Sequence, residues 1–231
     1  MRVHVAFTPG ERTPAAVGIV VDVLRATSTM TQALAAGYER VLCCAEIEEA
    51  RALAEAEGPA KLAGERRLEH IEGFDFGNSP REVAGEPAAP TLILTTTNGT
   101  RLLVSAAERF ERVYVGSLLN LEAVAAAARE SGEDVAVLCA GVLDELALDD
   151  AYCAGRIAQA LGGEPQDSAQ AAIRLADSFD GALAGLDASR SAGNLRSRGM
   201  GADIEWCAHE SVLDVVPRFV RRVGAAAEVT R

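Results

Sequence analysis

The chain has 231 residues, enough for one sizeable α/β domain, and with 49% hydrophobic and 24% charged residues its composition is that of an ordinary globular protein. The formal net charge of −12 argues against a nucleic-acid-binding protein, because phosphate backbones are bound by clustered Lys and Arg. A small anionic substrate is compatible with this charge, since a few local arginines and a metal ion can reverse the field inside a cleft.

Strand-like and helical patterns alternate along most of the sequence. Strands are predicted at residues 3–7, 18–24, 40–44, 61–63, 91–96, 112–115 and 135–139. Helices are predicted at residues 29–36, 46–57, 101–108, 121–130 and 149–161, with further helical patterns over 166–186. A last extended piece is predicted at 212–216. The alternation predicts an α/β fold, a three-layer α/β/α arrangement with a mostly parallel sheet.

The pattern is interpreted as a single domain over residues 1–231. It occurs in two blocks, before and after about residue 90, which suggests two similar sub-lobes divided near that residue. The loop over residues 65–90 is long and rich in Gly and Pro, and loops of this length are usually functional or disordered. Its aromatic and polar side chains favour function. Units of this size often form a homodimer, although the sequence does not locate a face for one.

The cysteines and the hydropathy indicate the compartment. The five cysteines have neither the paired spacing of a disulfide framework nor a C-x-x-C motif, and we expect them to be reduced and buried. The positions are Cys43, Cys44, Cys139, Cys153 and Cys207. We identify no signal peptide and no apolar run of transmembrane length, so we expect a cytoplasmic protein without a membrane partner.

The segment 18–30, GIVVDVLRATSTM, places an acid, an arginine and hydroxyl side chains directly after a buried strand. Asp22 ends the strand, Arg25 follows, and Thr27 and Ser28 can open a helix. Ligands of open α/β sheets bind beyond the carboxyl ends of the strands, where helix N-termini offer N–H groups to anions. The combination suits a phosphate ester with a divalent cation. The alternative is a polar strand end with an ordinary helix cap.

A second polar strand end is TTTNGT at residues 95–100. Asn98-Gly99 permits a tight turn, and the N–H groups and hydroxyls of Thr96, Thr97 and Thr100 can form an anion-binding nest. The alternative is a strand-to-helix turn capped by Thr100. Three threonines with Asn-Gly exceed what a cap requires, so this pattern favours a site.

Three further segments carry candidate side chains. Glu65 and Arg66 follow a short strand, and a surface ion pair is the alternative there. In the loop GFDFGNSP at residues 73–80, Asn78 can cap a helix that begins at Ser79. The adjacent acids at residues 149–150 begin a helix, where acids are normal dipole partners, but such a pair also suits Mg²⁺.

The sequence lacks the motifs of several phosphatase mechanisms and of several other enzyme classes. Asp22 is not part of a D-x-D nucleophile pattern, and no cysteine has an arginine six positions later. His4, His70 and His209 are scattered without zinc-ligand spacing. The sequence has no Walker A loop and no complete G-x-G-x-x-G fingerprint, which disfavours an NTPase or a dinucleotide enzyme.

Taken in order, these segments resemble the 2-phosphosulfolactate phosphatase family. The matching segments are VDVLRATSTM, LAGER, GFDFGNSP, TTTNGT, GSLLN, LDDAYCAG, SAGNL at residues 191–195 and DI at 203–204. The resemblance implies a Mg²⁺-dependent hydrolase that converts 2-phospho-3-sulfolactate to 3-sulfolactate and phosphate, a step toward coenzyme M in some archaea. The sequence departs from the family pattern at residues 142–145, where a threonine and a glycine are replaced, and at Asp149, where the family has Glu.

The residues and the resemblance together give a mechanistic hypothesis for a small, anionic, phosphorylated substrate. Catalytic roles are expected for Asp22, Arg25 and Asn98. Substrate contacts are expected for Thr27, Ser28, Arg66, Asn78, Ser79, Thr96, Thr97, Gly99 and Thr100. The metal ligands expected for Mg²⁺ are Asp22, Glu65, Asp149 and Asp150. The attacking group is either a metal-activated water or Asp22 itself.

Two alternatives to this function stay open. One is a phosphatase for another phosphorylated hydroxy acid on the same scaffold. The other is a non-catalytic anion-binding protein, which the altered segment 142–145 motivates.

Overall fold

Eleven β-strands form one sheet covered by nine helices in the computed structural model, which describes all 231 residues. The strands are β1 (Arg2–Ala6), β2 (Val17–Val21), β3 (Arg40–Cys44), β4 (Ala60–Arg66), β5 (Glu69–His70), β6 (Thr91–Thr95), β7 (Arg112–Gly116), β8 (Val135–Cys139), β9 (Glu164–Pro165), β10 (Arg218–Val223) and β11 (Ala226–Thr230). The helices are α1 (Ala26–Ala36), α2 (Ile47–Ala56), α3 (Gly99–Arg109), α4 (Leu121–Glu130), α5 (Leu148–Leu161), α6 (Asp167–Asp177), α7 (Ala182–Asp187), α8 (Arg190–Ser197) and α9 (Gly201–Cys207).

The sheet consists of two parallel blocks joined by an antiparallel hairpin. Its strand order is β5-β4-β6-β3-β11-β10-β7-β2-β8-β1-β9. The strands β4, β6 and β3 are parallel to one another, as are β7, β2, β8, β1 and β9. Between the blocks, β11 and β10 pair antiparallel with each other and with their outer neighbours β3 and β7. Chain segments on both sides of residue 90 contribute to each block, so the blocks do not divide at that residue.

Helices cover both faces of the sheet, and the predicted three-layer α/β/α fold is therefore confirmed. The central strands are fully buried and are continuous hydrophobic runs, as parallel strands covered on both faces require. Alternate side chains of β2 enter different cores: Ile19 packs in the layer formed with α4 and α5, and Val20 in the layer formed with α1 and α3. The second layer also contains Leu94 and Val41 of the other block. The sheet thus wraps around α1 and α3.

The C-terminal hairpin corrects one expectation. Residues 212–216 do not form a strand; the last strands are β10 and β11, on either side of a turn in which Gly224 has φ 61°. The sequence of β10, RFVRRV, did not indicate a strand, because its side chains are mostly exposed and its arginines interrupt the apolar alternation. The neighbouring β11 is buried and fills the centre of the sheet.

All five cysteines are buried and unpaired, as predicted. None of the helices combines the length and the apolar character that crossing a membrane would require.

Candidate active site

A cleft with a volume of about 380 Å³ lies where the carboxyl ends of both parallel blocks meet. The blocks run in opposite local directions, but the wrapping of the sheet around α1 and α3 brings these ends together. Asp22 follows β2, Glu65 lies near the end of β4, and Asn98 follows β6. The helix α8 forms another wall through Asn194. The volume is in the range of small-molecule binding sites.

Asp22 lies between the N-termini of two helices. Its Oδ1 accepts a hydrogen bond from the N–H of Ala26, the first residue of α1, at 3.3 Å. The N–H of Gly99, the first residue of α3, also donates to this carboxyl group. A Cβ atom at position 99 would lie 2.6 Å from Asp22 Oδ2, so only glycine permits this close approach. Two helix N-termini are a favourable environment for negative charge.

The burial of Asp22 nevertheless raises its pKa to about 7. The neighbouring acids Asp149 and Glu65 also raise this pKa, while the N–H groups of Ala26 and Gly99 lower it. Burial likewise raises the pKa of Asp149 to about 6. A carboxyl group with such a pKa can accept or release a proton near neutral pH, where general base catalysis is most effective.

The four carboxylates predicted as metal ligands differ in how the protein engages them, and their role as a ligand set stays a prediction. No three side chains of His, Cys, Asp or Glu come together in a way that would hold an ion. Asp150 accepts hydrogen bonds from the N–H groups of Val23 at 2.9 Å and Gly141 at 3.0 Å, so it fixes the ends of β2 and β8. Glu65 accepts hydrogen bonds from the N–H and hydroxyl of Thr97. Both acids are thus engaged by the protein.

The turn over residues 96–100 is an anion-binding nest, but the anions it binds are carboxylates of the protein. The N–H of Thr97 donates to Glu65 and that of Gly99 to Asp22. Thr96 and Thr100 are buried and bond each other, because each N–H donates to the hydroxyl of the other residue at 3.3 Å. These donors are thus used within the protein, and the contacts of this turn with a substrate oxyanion stay a prediction. The side chains of Thr97 and Asn98 do line the cleft.

The hydroxyls of Thr27 and Ser28 also have partners within the protein. The Thr27 hydroxyl donates to the carbonyl oxygen of Asp22 at 2.9 Å, and the Ser28 hydroxyl donates to that of Val23 at 2.8 Å. Both side chains are wholly buried. They join α1 to the end of β2, and α1 begins at Ala26, three residues before its predicted start. Neither residue lies on the wall of the cleft.

Arg25 lines the cleft and forms a buried ion pair with Asp203. Its Nη1 lies 2.6 Å from Oδ2 of Asp203, and the two side chains are 3% and 5% exposed. The hydroxyl of Ser79 donates to the other oxygen of Asp203 at 2.8 Å, so Ser79 supports the pair from behind. The Nε atom of Arg25 is buried without a partner. Asp203 lies in a segment that resembles the family, but the sequence did not indicate a role for this residue.

The structure does not bring Arg66 into the cleft. Its guanidinium donates to the carbonyl oxygens of Glu65 and Ala45 and to the hydroxyl of Thr95, and these bonds hold the end of β4. The next residue, Arg67, lines the cleft instead. Arg67 follows the end of β4 and has a φ of 55°, so its side chain leaves the backbone in a different direction from that of Arg66.

The sequence analysis also missed a polar wall formed by α8. Ser191, Asn194 and Arg198 line the cleft, with the spacing of one helix face. Ser191 and Asn194 lie in the segment SAGNL, and only the resemblance of this segment to the family could have indicated a role for them. Asn78, which was predicted, also lines the cleft, and its Oδ1 is buried without a partner. An unpartnered oxygen of this kind is available to a ligand.

The fold and the cleft define an α/β protein with a polar strand-end site, in which buried acids and arginines face a volume suited to a small anion. The chain belongs to the 2-phosphosulpholactate phosphatase family, whose model matches residues 4–222. The resemblance found in the sequence is thus confirmed.

Individual relatives cover nearly the whole chain. The chain is 38% identical to a probable 2-phosphosulfolactate phosphatase of Thermus thermophilus, with 98% of each chain covered. It is 39% identical to a protein of Symbiobacterium thermophilum with the same description, covering 93% of this chain and 96% of the relative. It is 37% identical to the 2-phosphosulfolactate phosphatase of Methanothermobacter thermautotrophicus, covering 95% of this chain and 92% of the relative.

Proposed function

We propose that this chain is a phosphoric monoester hydrolase that converts 2-phosphosulfolactate and water to 3-sulfolactate and phosphate. The observation that carries the proposal is the position of Asp22. This half-buried acid, with a pKa of about 7, lies between two helix N-termini in a cleft that also contains arginines. The relatives named for this reaction match the chain over nearly its whole length, the cleft segments included.

In the proposed reaction the phosphate ester lies beside Asp22. The bond between phosphorus and the C2 oxygen breaks, and the leaving oxygen takes up a proton from water to become the hydroxyl of sulfolactate. Asp22 acts in one of two ways: it accepts a proton from the attacking water, or it attacks phosphorus and forms an aspartyl phosphate that water then hydrolyses.

The stereochemistry at phosphorus separates these two routes. A substrate with a chiral, isotopically labelled phosphoryl group gives inversion if water attacks directly, because one in-line displacement occurs. Two displacements through Asp22 give retention. Acid quenching during turnover, followed by borohydride reduction, converts an aspartyl phosphate at Asp22 to homoserine and provides an independent check.

The other residues of the cleft bind and orient the substrate in this proposal. The unpartnered Nε–H of Arg25 points to an anionic oxygen as its acceptor, and the ion pair with Asp203 holds the guanidinium in place. Asn78 also lines the cleft and offers its amide to the substrate. Asn98 lies beside Asp22 at the start of α3 and shapes that end of the cleft.

We propose Mg²⁺ as the cofactor, held by fewer protein ligands than the sequence suggested. Mg²⁺ in phosphoryl-transfer sites is commonly bound by one or two carboxylates together with substrate oxygens and waters. Asp22 fits this mode, as does Asp149, whose Oδ1 is buried without a partner. The raised pKa values of both acids reflect negative charge in a buried environment, which a cation would offset. When bound, the ion neutralises charge that develops on the transferred phosphoryl group.

The experiment is a panel of phosphate esters assayed for phosphate release with Mg²⁺ and with EDTA. We expect rapid, EDTA-sensitive turnover of 2-phosphosulfolactate. Faster turnover of a different phosphorylated hydroxy acid would instead identify a related phosphatase. The motive for that alternative is the segment 142–145, where Leu143, 77% exposed, lies at the cleft in place of the family pattern.

The remaining alternative is a protein that binds the anion without reacting. It predicts ligand-induced thermal stabilisation without phosphate release. We further propose a cytoplasmic location, because five buried and unpaired cysteines suit a reducing compartment.

A further inference from the structure

Two arginines reach the mouth of the cleft from different walls. Arg67 lies in the turn between β4 and β5, and Arg198 follows the last residue of α8. Arg67 takes part in none of the chain's ion pairs, whereas Arg198 lies 3.5 Å from Oε1 of Glu69. Because the side chains of Arg198 and Glu69 are 39% and 75% exposed, this contact is weak. Both guanidinium groups are therefore free to bind a ligand.

The other arginines near the cleft have protein partners that balance their charge or take up most of their donors. Arg25 is neutralised by Asp203, and Arg66 donates to oxygens outside the cleft. The charges of the cleft are thus separated, with the half-buried Asp22 at the inner end and the exposed Arg67 and Arg198 at the mouth. A substrate with two different anionic groups would bind such a cleft in one orientation.

The backbone at Arg67 gives a second, independent reason to assign it a role. Arg67 and Leu68 have φ values of 55° and 66° and form a two-residue hairpin turn between the paired residues Arg66 and Glu69. Turns of this type favour Asn-Gly, because side chains other than Gly, Asn and Asp are disfavoured at positive φ. Strained residues of this kind concentrate at ligand sites. An arginine in this position, without a protein partner, is consistent with selection for a ligand contact.

We propose that Arg67 and Arg198 together bind the sulfonate group of the substrate and are its specificity-determining residues. A guanidinium stays ionised and offers a fork of donors that matches the oxygens of a tetrahedral anion. Asn194, one turn before Arg198 on the same face of α8, adds a neutral polar group to this wall. The inference rests on the proposed function, because it requires a substrate that carries a sulfonate beside its phosphate.

The test compares 2-phosphosulfolactate with 2-phospholactate, which lacks the sulfonate. The variants are Arg67→Gly, which leaves a residue suited to the turn, and Arg198→Gln. We expect each variant to lower kcat/KM for the sulfonate substrate by about 10- to 100-fold, mainly through KM, because a charged hydrogen bond is lost. For 2-phospholactate we expect a change of less than about threefold. Arg67→Gly should keep or raise the Tm.

The matched control is Arg174→Gln, which removes one positive charge from a side chain of α6 that is 79% exposed. It should leave kcat/KM for both substrates unchanged. An equal loss for the two substrates in the arginine variants would overturn the proposal, since the arginines would then act on a group that both substrates share. Unchanged kinetics with the sulfonate substrate would also overturn it.

Binding of the reaction products separates this proposal from the proposed function. If the wild-type protein releases phosphate from neither ester, calorimetry with 3-sulfolactate and with lactate still tests the subsite. Binding of 3-sulfolactate that Arg67→Gly weakens at least about tenfold would support the sulfonate subsite without the phosphatase activity. Binding that the variant does not weaken, or no binding by the wild-type protein, would overturn it.

Discussion

Replacing Asp22 by Asn should stabilise the protein at high pH while it abolishes activity. The folded protein binds the Asp22 proton more tightly than the unfolded chain does, so stability falls as the pH rises from about 4 through about 7. The rise of the pKa from 3.8 to about 7 corresponds to about 4 kcal/mol above pH 7, at about 1.4 kcal/mol per pKa unit. Asparagine carries no charge and retains one acceptor oxygen for the two N–H groups, and the lost hydrogen bond costs about 1 kcal/mol.

The net expectation for Asp22→Asn is a gain of about 3 kcal/mol at pH 8 and of less than about 1 kcal/mol at pH 5. The assay is urea unfolding in EDTA, because a bound cation would stabilise the wild-type protein, with the fluorescence of Trp206, the single tryptophan, as the signal. The control Asp180→Asn changes an exposed acid and should shift the free energy of unfolding by less than about 0.5 kcal/mol. A variant no more stable than wild type at pH 8 would refute this account of Asp22.

Three further predictions concern the surroundings of Asp22. Gly99→Ala places a Cβ 2.6 Å from Asp22 Oδ2 and should lower the free energy of unfolding by roughly 1–3 kcal/mol, as measured by thermal or urea unfolding. The control is Gly193→Ala, which should be neutral or stabilising because nothing lies within 4 Å of the added Cβ. Asp203→Asn leaves the buried Arg25 without a counter-charge and should cost about 3–5 kcal/mol by the same measurement; a loss below about 1 kcal/mol would contradict the buried pair. The affinity for Mg²⁺ measured by calorimetry should rise up to about tenfold per pH unit between pH 6 and 7, because the ion competes with the proton on Asp22, and more steeply below pH 6, where Asp149 also binds a proton. A pH-independent affinity would argue against these ligands.

Local patterns in the sequence predicted most of the sheet. The bounds of β3, α4 and β8 agree with the prediction, because each strand is a continuous apolar run and the helix is rich in alanine. The pairing of β10 and β11 in the middle of the sheet was not predictable in the same way. It depends on contacts with β7 and β3, which are distant in sequence, and on a strand whose side chains mostly face solvent.

The sequence predicted those residues of the candidate site that directly follow a strand. Asp22 and Asn98 line the cleft because polar residues after parallel strands gather at the carboxyl edge, and Asn78 reaches it from the loop before β6. The sequence did not reveal which neighbouring residue faces the ligand. Arg67 lies in the cleft and Arg66 outside it, because the direction of each side chain depends on the register of the β4–β5 hairpin.

Burial and hydrogen bonding decide the remaining roles. Asp150 appeared equivalent to Asp149 in the sequence, yet both of its oxygens accept backbone N–H groups, while Oδ1 of Asp149 is unpartnered. The threonine hydroxyls of the predicted nest are likewise consumed within the protein. Such distinctions require the three-dimensional arrangement, because the residue types alone are the same in both cases.

The central claim is tested most directly by measuring phosphate and 3-sulfolactate release from 2-phosphosulfolactate by the wild-type protein and by Asp22→Asn. The account predicts the two products in equal amounts from the wild-type protein with Mg²⁺, and no turnover by a folded Asp22→Asn variant. Absence of phosphate release by the wild-type protein, or equal turnover by the variant, would contradict it.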